Sequence, residues 1–213
     1  MTGAAAVDLL RRMRESAGEL GVPAPMESSR NAFHVLVSTI ISLRTRDATT
    51  RSVSGRVLER APDPQTMMKL RRGELEELLR PAGFFRQKAG QLKRISEMLM
   101  SDYGGEVPDS MEELLSLPGV GRKTANFVMG MVYDVPSICV DVHVHRISNR
   151  LGLVSTGTPE ETEHSLMELF PRELWTGINH TMVRFGQRVC RPVSPLCDGC
   201  SLADECPART GLS

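Results

Sequence analysis

The stretch NAFHVLVSTIIS constrains the fold of this chain more than any other, because Phe33, Leu36, Val37, Ile40 and Ile41 recur at steps of three and four. That is the spacing of one buried face of an α-helix. Ser28 and Ser29 precede it as candidate caps, since a serine hydroxyl can accept from the first unpaired amides of a helix. The same periodicity places further helices at about 6–20, 46–60, 64–79, 85–102, 109–116, 122–133, 142–151, 159–169 and 172–189. Proline and glycine separate most of them: PDP from 62, RPAG from 80, GG from 104, PGVG from 118 and TGTP from 156. Only CVDVHVH at 139–145 alternates as a strand would, and no βαβ rhythm or fixed-period repeat is present. The expected fold class is all-α.

A length of 213 residues allows one large domain or two small ones, and 40% hydrophobic with 24% charged residues excludes disorder of the whole. Charges interrupt the apolar start MTGAAAVDLLRRMRESAGEL, which therefore does not read as a secretory signal. No later apolar run approaches the roughly 20 residues that cross a bilayer. A cytoplasmic protein without a membrane partner is expected, and there clustered thiols are metal ligands more often than disulfides. The formal net charge of zero argues against a nucleic-acid partner only on average. RTRDATTRSVSGR and RFGQRVCR are basic whereas GELEEL, DSMEEL and PEETEH are acidic, so a neutral total can hide a basic face.

LPGVGRKTA, residues 117–125, puts a proline and two glycines between two helices and a lysine at the mouth of the second. It is not a P-loop, because Arg122 precedes Lys123 and Leu117 stands where the first glycine would fall. Nor is it a dinucleotide fingerprint, which needs a preceding strand and a glycine where Thr124 sits. What remains is helix, tight turn, helix. Glycine at 119 and 121 would free the backbone dihedrals and admit a ligand close to the main chain, beside helix-start amides that suit an anion. A turn with no ligand is the alternative.

Cys190, Cys197, Cys200 and Cys206 follow the pattern C-x6-C-x2-C-x5-C. A zinc ribbon usually carries two C-x2-C pairs, and ferredoxin-type runs are spaced differently, so the cysteines alone leave zinc and an iron–sulfur cluster both open. The fifth cysteine, Cys139, reads as a small apolar packing residue. His143 and His145 lie two apart and do not share a helix face, which disfavours a metal pair.

PGVG with Arg122, Lys123 and Thr124, followed by VDVHVHRISNRLGL at 140–153, resembles the helix-hairpin-helix DNA glycosylases, and within them the endonuclease III-like proteins. The likeness runs from NAFHVLVSTIIS to the last cysteine and includes GEVPDS ahead of the hairpin. It implies a two-domain fold: a six-helix barrel over 25–135 that contains the hairpin, and an iron–sulfur cluster domain formed by 1–24 plus 136–213, with the active site at their junction. It implies that Lys123 is the nucleophile and Asp141 its catalytic partner, and that Gly119, Val120, Gly121, Arg122 and His143 meet DNA. It further implies one [4Fe–4S] cluster on Cys190, Cys197, Cys200 and Cys206, with Arg184, Arg188, Arg191 and Arg209 near enough to offset its negative charge.

Two positions depart from the family pattern. Arg44 replaces a glutamine that enters the space vacated by the extruded nucleotide, and Phe84 replaces a leucine wedge. A guanidinium can hydrogen-bond an orphaned base and a ring can stack on its neighbours. A solvated arginine and a core phenylalanine are the alternatives.

The resemblance implies a bifunctional DNA glycosylase and abasic-site lyase that acts as a monomer on duplex DNA with damaged bases or abasic sites, removing oxidised pyrimidines. The lysine matters because relatives that only excise mismatched bases carry another residue there. An amine can attack the sugar, form a Schiff base and so promote loss of the 3′ phosphate, which an alcohol cannot do. Attack needs the uncharged amine, a form that exclusion of water favours. A carboxylate touching that amine would oppose it, so Asp141 should act through a water or the sugar, or else only cap the helix that begins near Val142. A non-catalytic DNA-binding module and a lyase with little base excision are the rival readings.

Overall fold

The computed structural model describes residues 2–18 and 31–211, and the regular elements among them are all helical. In chain order they are α1 (Gly3–Ser16), α2 (Ala32–Ser42), α3 (Asp47–Arg60), α4 (Pro64–Lys69), α5 (Arg72–Leu79), α6 (Phe85–Asp102), α7 (Met111–Ser116), α8 (Arg122–Val132), α9 (Val142–Arg150), α10 (Pro159–Leu169), α11 (Trp175–Arg188) and α12 (Pro207–Thr210). Short 3-10 turns stand before α11 and within the cysteine loop. The alternating stretch at 139–145 does not form a strand: Asp141 ends an extended segment and α9 begins at the next residue. No helix among the described residues is long and apolar enough to cross a membrane.

The chain divides into two compact units, one of Pro25–Val135 and one of Met1–Ala24 with Pro136–Ser213. In the contiguous unit α2 is the central element and touches α3, α6 and α8. Its expected stripe is buried, and so are Val35, Ser38 and Thr39 on the other side. Full burial of Leu36, Ile40 and Ile41 is worth about 1.5–3 kcal/mol each. The cap of α2 is Asn31, whose side chain accepts from His34 N at 3.0 Å. Ser28 and Ser29 lie outside the described residues.

The helix expected at 64–79 is two helices. Leu70 and Arg71 are extended between α4 and α5, which turns Leu70 into the core beside Met67, Leu75 and Leu79. Lys93 of α6 covers the end of α4 by donating to Met68 O at 2.6 Å and Leu70 O at 2.5 Å, a cation at the electronegative end of a helix. The described residues of this unit therefore carry seven helices where the sequence suggested six. Likewise α7 starts at Met111 and not at 109, because the Ser110 hydroxyl accepts from Glu113 N at 3.2 Å and fixes the start.

In the discontinuous unit α1 packs on α11, and α11 on α9. Ala6, Leu9, Leu10 and Met13 of α1 join Val144, Ile147, Ile178, Met182 and Phe185 in one apolar cluster, against which Cys190, Cys200 and Cys206 rest. Arg12 ties α1 to the cysteine loop through Glu205 at 2.6 Å and the Ser201 carbonyl, and Ser16 Oγ lies 2.5 Å from Ser201 Oγ.

Candidate functional site

The hairpin closes with Val120 N donating to Leu117 O at 3.0 Å, and the first helical bond of α8 runs from Ala125 N to Gly121 O at 3.0 Å. The amides of residues 122–124 thus precede the bonding ladder of the helix, and Gly121 has no side chain to cap them. The two glycines are needed for different reasons. Gly119 has φ +70° and lies against Gln91 of α6, whose Nε2 would be 2.5 Å from an added Cβ. Gly121 is extended, and an added Cβ would meet nothing within 4 Å. Its lack of a side chain is an open face and not a dihedral requirement. Val120 is buried in the core, so only its main chain could meet a ligand. Arg122 and Lys123 are the first two residues of α8, both half-buried.

Asp141 caps α9, its Oδ1 accepting from His143 N at 2.8 Å and Val144 N at 2.9 Å. The capping role is therefore present, and it leaves Oδ2 outside those two bonds. His143 is half-buried, and Arg146 donates to its Nδ1 at 3.1 Å and to Cys190 O at 3.0 Å. Burial lowers the pKa of Arg146. Gly186 of α11 makes room for this pair, since a Cβ there would fall 2.5 Å from His143 Nδ1. His145 instead bonds Thr162 Oγ1 at 2.7 Å, so the two histidines serve different neighbours.

Arg44 and Phe84 come together. The guanidinium carbon of Arg44 lies 5.3 Å from the centroid of the Phe84 ring, within the range of a cation–π contact. Phe84 is 56% exposed, which excludes a core role, and Arg44 is exposed too. Both adopt left-handed backbone, with φ of +53° and +57°, at a cost of about 1–2 kcal/mol for a residue with a Cβ.

None of Cys190, Cys197, Cys200 and Cys206 is in a disulfide, and all four are of intermediate exposure. Burial pushes the Cys200 thiol up, the Leu202 amide pulls it down, and charge on Cys190, Cys206 and Cys197 adds to the rise. Among the described residues no three His, Cys, Asp or Glu side chains close around a point as a single metal ion requires. Arg150 reaches one of these sulfurs, with Nη1 3.6 Å from Cys190 Sγ. Arg150 also donates to Arg191 O at 2.7 Å and Pro192 O at 3.0 Å, and Cys206 Sγ lies 3.6 Å from its carbonyl. Of the arginines expected to offset cluster charge, Arg188 donates to the Ala17 carbonyl, Arg209 faces Asp198 and Asp204 at 3.6 and 3.9 Å, and Arg191 is exposed. Cys139 is buried, as a packing residue should be.

A family model described as HhH-GPD superfamily base excision DNA repair protein matches residues 37–172. The chain belongs to this superfamily. Within the HhH-GPD proteins it is 51% identical to endonuclease III of Thermotoga maritima over 174 residues, 82% of each chain. It is 37% identical to endonuclease III of Bacillus subtilis over 177 residues, 83% of this chain and 81% of that one. Among solved structures, a trapped endonuclease III–DNA covalent intermediate with an estranged adenine superposes with a TM-score of 0.90 at 34% identity, covering all of this chain and 99% of that one. The all-helical HhH-GPD fold and the endonuclease III likeness read from the motifs are both borne out.

Sequence reasoning within this family pattern missed Gln91, Arg150, Gly186 and Lys88. Only Lys88 left a clear trace: Phe85, Lys88, Leu92, Ile95 and Leu99 form one helical stripe, and a lysine on an apolar stripe asks what it is bonded to.

Proposed function

We infer that this protein is a bifunctional DNA glycosylase and abasic-site lyase of base excision repair. The observation that carries the reading is Lys123, half-buried in the first turn of α8 directly behind the uncapped Gly121, in a chain that is 51% identical to an endonuclease III. The main chain of Gly119, Val120 and Gly121, with the amides that open α8, cradles a phosphate of the damaged strand. Arg122 and His143 add contacts to that strand.

The uncharged amine of Lys123 attacks C1′ of the extruded nucleotide. A C–N bond forms, the bond to the base breaks, and the base leaves with a proton. The C1′–O4′ bond then breaks as O4′ takes up a proton, giving a protonated Schiff base that acidifies C2′; the C2′ proton passes to a base, and the C3′–O bond breaks with release of the phosphate. Asp141 stabilises the cationic sugar through its remaining carboxylate oxygen, directly or by one water, while its other oxygen holds α9. Oxidised pyrimidines in duplex DNA are the substrates, and the protein acts as a monomer.

The four cysteines supply thiolates, the donor type that iron–sulfur clusters take, and the half-buried guanidinium of Arg150 at Cys190 suits a group of net negative charge. We assign one [4Fe–4S] cluster to Cys190, Cys197, Cys200 and Cys206. When bound it holds residues 190–206 in one shape. Equal amounts of iron and acid-labile sulfide, near four per chain, are expected; zinc in their place would overturn the assignment.

Borohydride reduction tests the chemistry, because it converts a Schiff base into a stable secondary amine. Wild-type protein should become covalently attached to abasic duplex DNA. Lys123→Ala should bind the same DNA and not become attached. Binding without attachment in the wild type would instead indicate a non-catalytic module, and attachment without release of damaged bases a simple lyase.

A further inference from the structure

Lys88 is 4% exposed, and its ammonium is bonded to uncharged oxygens. It donates to Ile41 O at 2.6 Å, Leu43 O at 2.7 Å and Thr45 Oγ1 at 2.8 Å. Three donors meet three acceptors, which is the full capacity of the charged form. Ile41 O belongs to the last turn of α2, and the other two acceptors lie on the segment that leaves it and carries Arg44. The backbone of Lys88 is tied to the other segment, because its N donates to Phe84 O at 3.0 Å in the first turn of α6.

Thr45 closes the same joint from the opposite side. Its hydroxyl accepts from Lys88 Nζ and from Gly83 N at 3.2 Å, and donates to Leu43 O at 3.4 Å. Gly83 allows the two segments to touch, since a Cβ there would lie 2.4 Å from Arg44 O. Arg44 and Phe84 on either side both carry left-handed backbone that costs free energy. Such conformations persist only where surrounding bonds determine them, and Lys88 with Thr45 are the bonds that do so.

We propose that Lys88 and Thr45 form a clasp that sets the separation of Arg44 and Phe84, so that the two side chains enter the DNA stack as one preassembled wedge. Lys88 is a positioning residue and touches no substrate atom. The inference rests on the reading that Arg44 and Phe84 occupy the space left by the extruded nucleotide. The clasp removes an ordering step that two independent loops would face on binding. Its loss should therefore reduce wedge insertion more than it reduces attachment to the strand.

The test uses the full-length protein and a duplex with 2-aminopurine opposite a tetrahydrofuran abasic analogue, where insertion beside the orphaned base raises fluorescence. Arg44→Ala and Phe84→Ala should each diminish the rise, which checks the underlying reading. Lys88→Met and Thr45→Val should also diminish it, and should lower kcat/KM on a lesion-bearing duplex by on the order of tenfold to a hundredfold, while borohydride attachment to saturating abasic DNA keeps its wild-type amplitude. Thr45→Ser restores the hydroxyl and should restore the fluorescence rise. If Arg44→Ala and Phe84→Ala lose the rise while Lys88→Met and Thr45→Val keep it, the clasp is wrong and the wedge stands. If none of the four changes it, both fail. Thr45→Val, at a half-buried loop hydroxyl, keeps the question decidable should Lys88→Met not fold.

Discussion

Asp141 caps α9, and under the proposed function the same side chain also takes part in the chemistry. Its Oδ1 is committed to two amides of α9. Asparagine caps a helix about as well as aspartate, so Asp141→Asn should melt within about 1 kcal/mol of wild type, bind DNA normally and lose excision turnover by on the order of 10²–10⁴-fold. Full turnover in that variant would reduce Asp141 to a cap. The hairpin glycines separate in the same manner. Gly119→Ala must place a Cβ at φ +70° against Gln91 and should cost at least about 1–2 kcal/mol in chemical denaturation. Gly121→Ala fits its extended backbone and open space, so its stability should stay within about 0.5 kcal/mol, with the loss appearing in DNA affinity. Lys88 gives a pH signature. Burial brings its pKa down to about 8 from 10.5, so between those values the unfolded chain holds more proton than the folded one. The cost of burying the charge is complete below about 8 and is relieved as pH rises. The stability gap between wild type and Lys88→Met should therefore shift in favour of wild type from pH 8 to 10, and a flat difference curve would contradict the depressed pKa.

At the scale of elements, most helices were legible because proline and glycine end them and caps begin them. The segment 85–102 was found to the residue, since its apolar period is unbroken and glycines follow it. The break between α4 and α5 was not legible: MKLRRGELEELL consists of good helix formers apart from Gly73, which lies inside α5 and not at the break, and the core's demand for Leu70, with Lys93 covering the carbonyls, interrupts it. The hairpin, Lys123 and Asp141 could be singled out because they stand in compact stretches of sequence, PGVGRKT and VDVHVH. Gln91, Gly186 and Arg150 were not, because each acts on a neighbour distant in sequence and nothing local marks it. The guanidinium of Arg150 joins α9 to the cysteine loop at two carbonyls and one sulfur. Arg150→Ala should leave the iron content of freshly purified protein near wild type and accelerate loss of iron to a chelator, followed by visible absorbance. An unchanged rate would show that the cysteines alone hold the loop.

For the molecule as a whole, the two units differ in how the chain builds them. Residues 25–135 are contiguous, whereas the other unit needs both chain ends. The apolar face of α1, formed by Ala6, Leu9, Leu10 and Met13, has its partners Ile178, Met182 and Phe185 on α11. Synthesis at roughly 5–20 residues per second puts on the order of ten seconds between these helices. During that interval α1 is a greasy strip on a nascent chain, with its natural cover not yet made. Ribosome-bound chains halted before α11 should accordingly be the ones that recruit a holding chaperone, and chains released after the last cysteine should not.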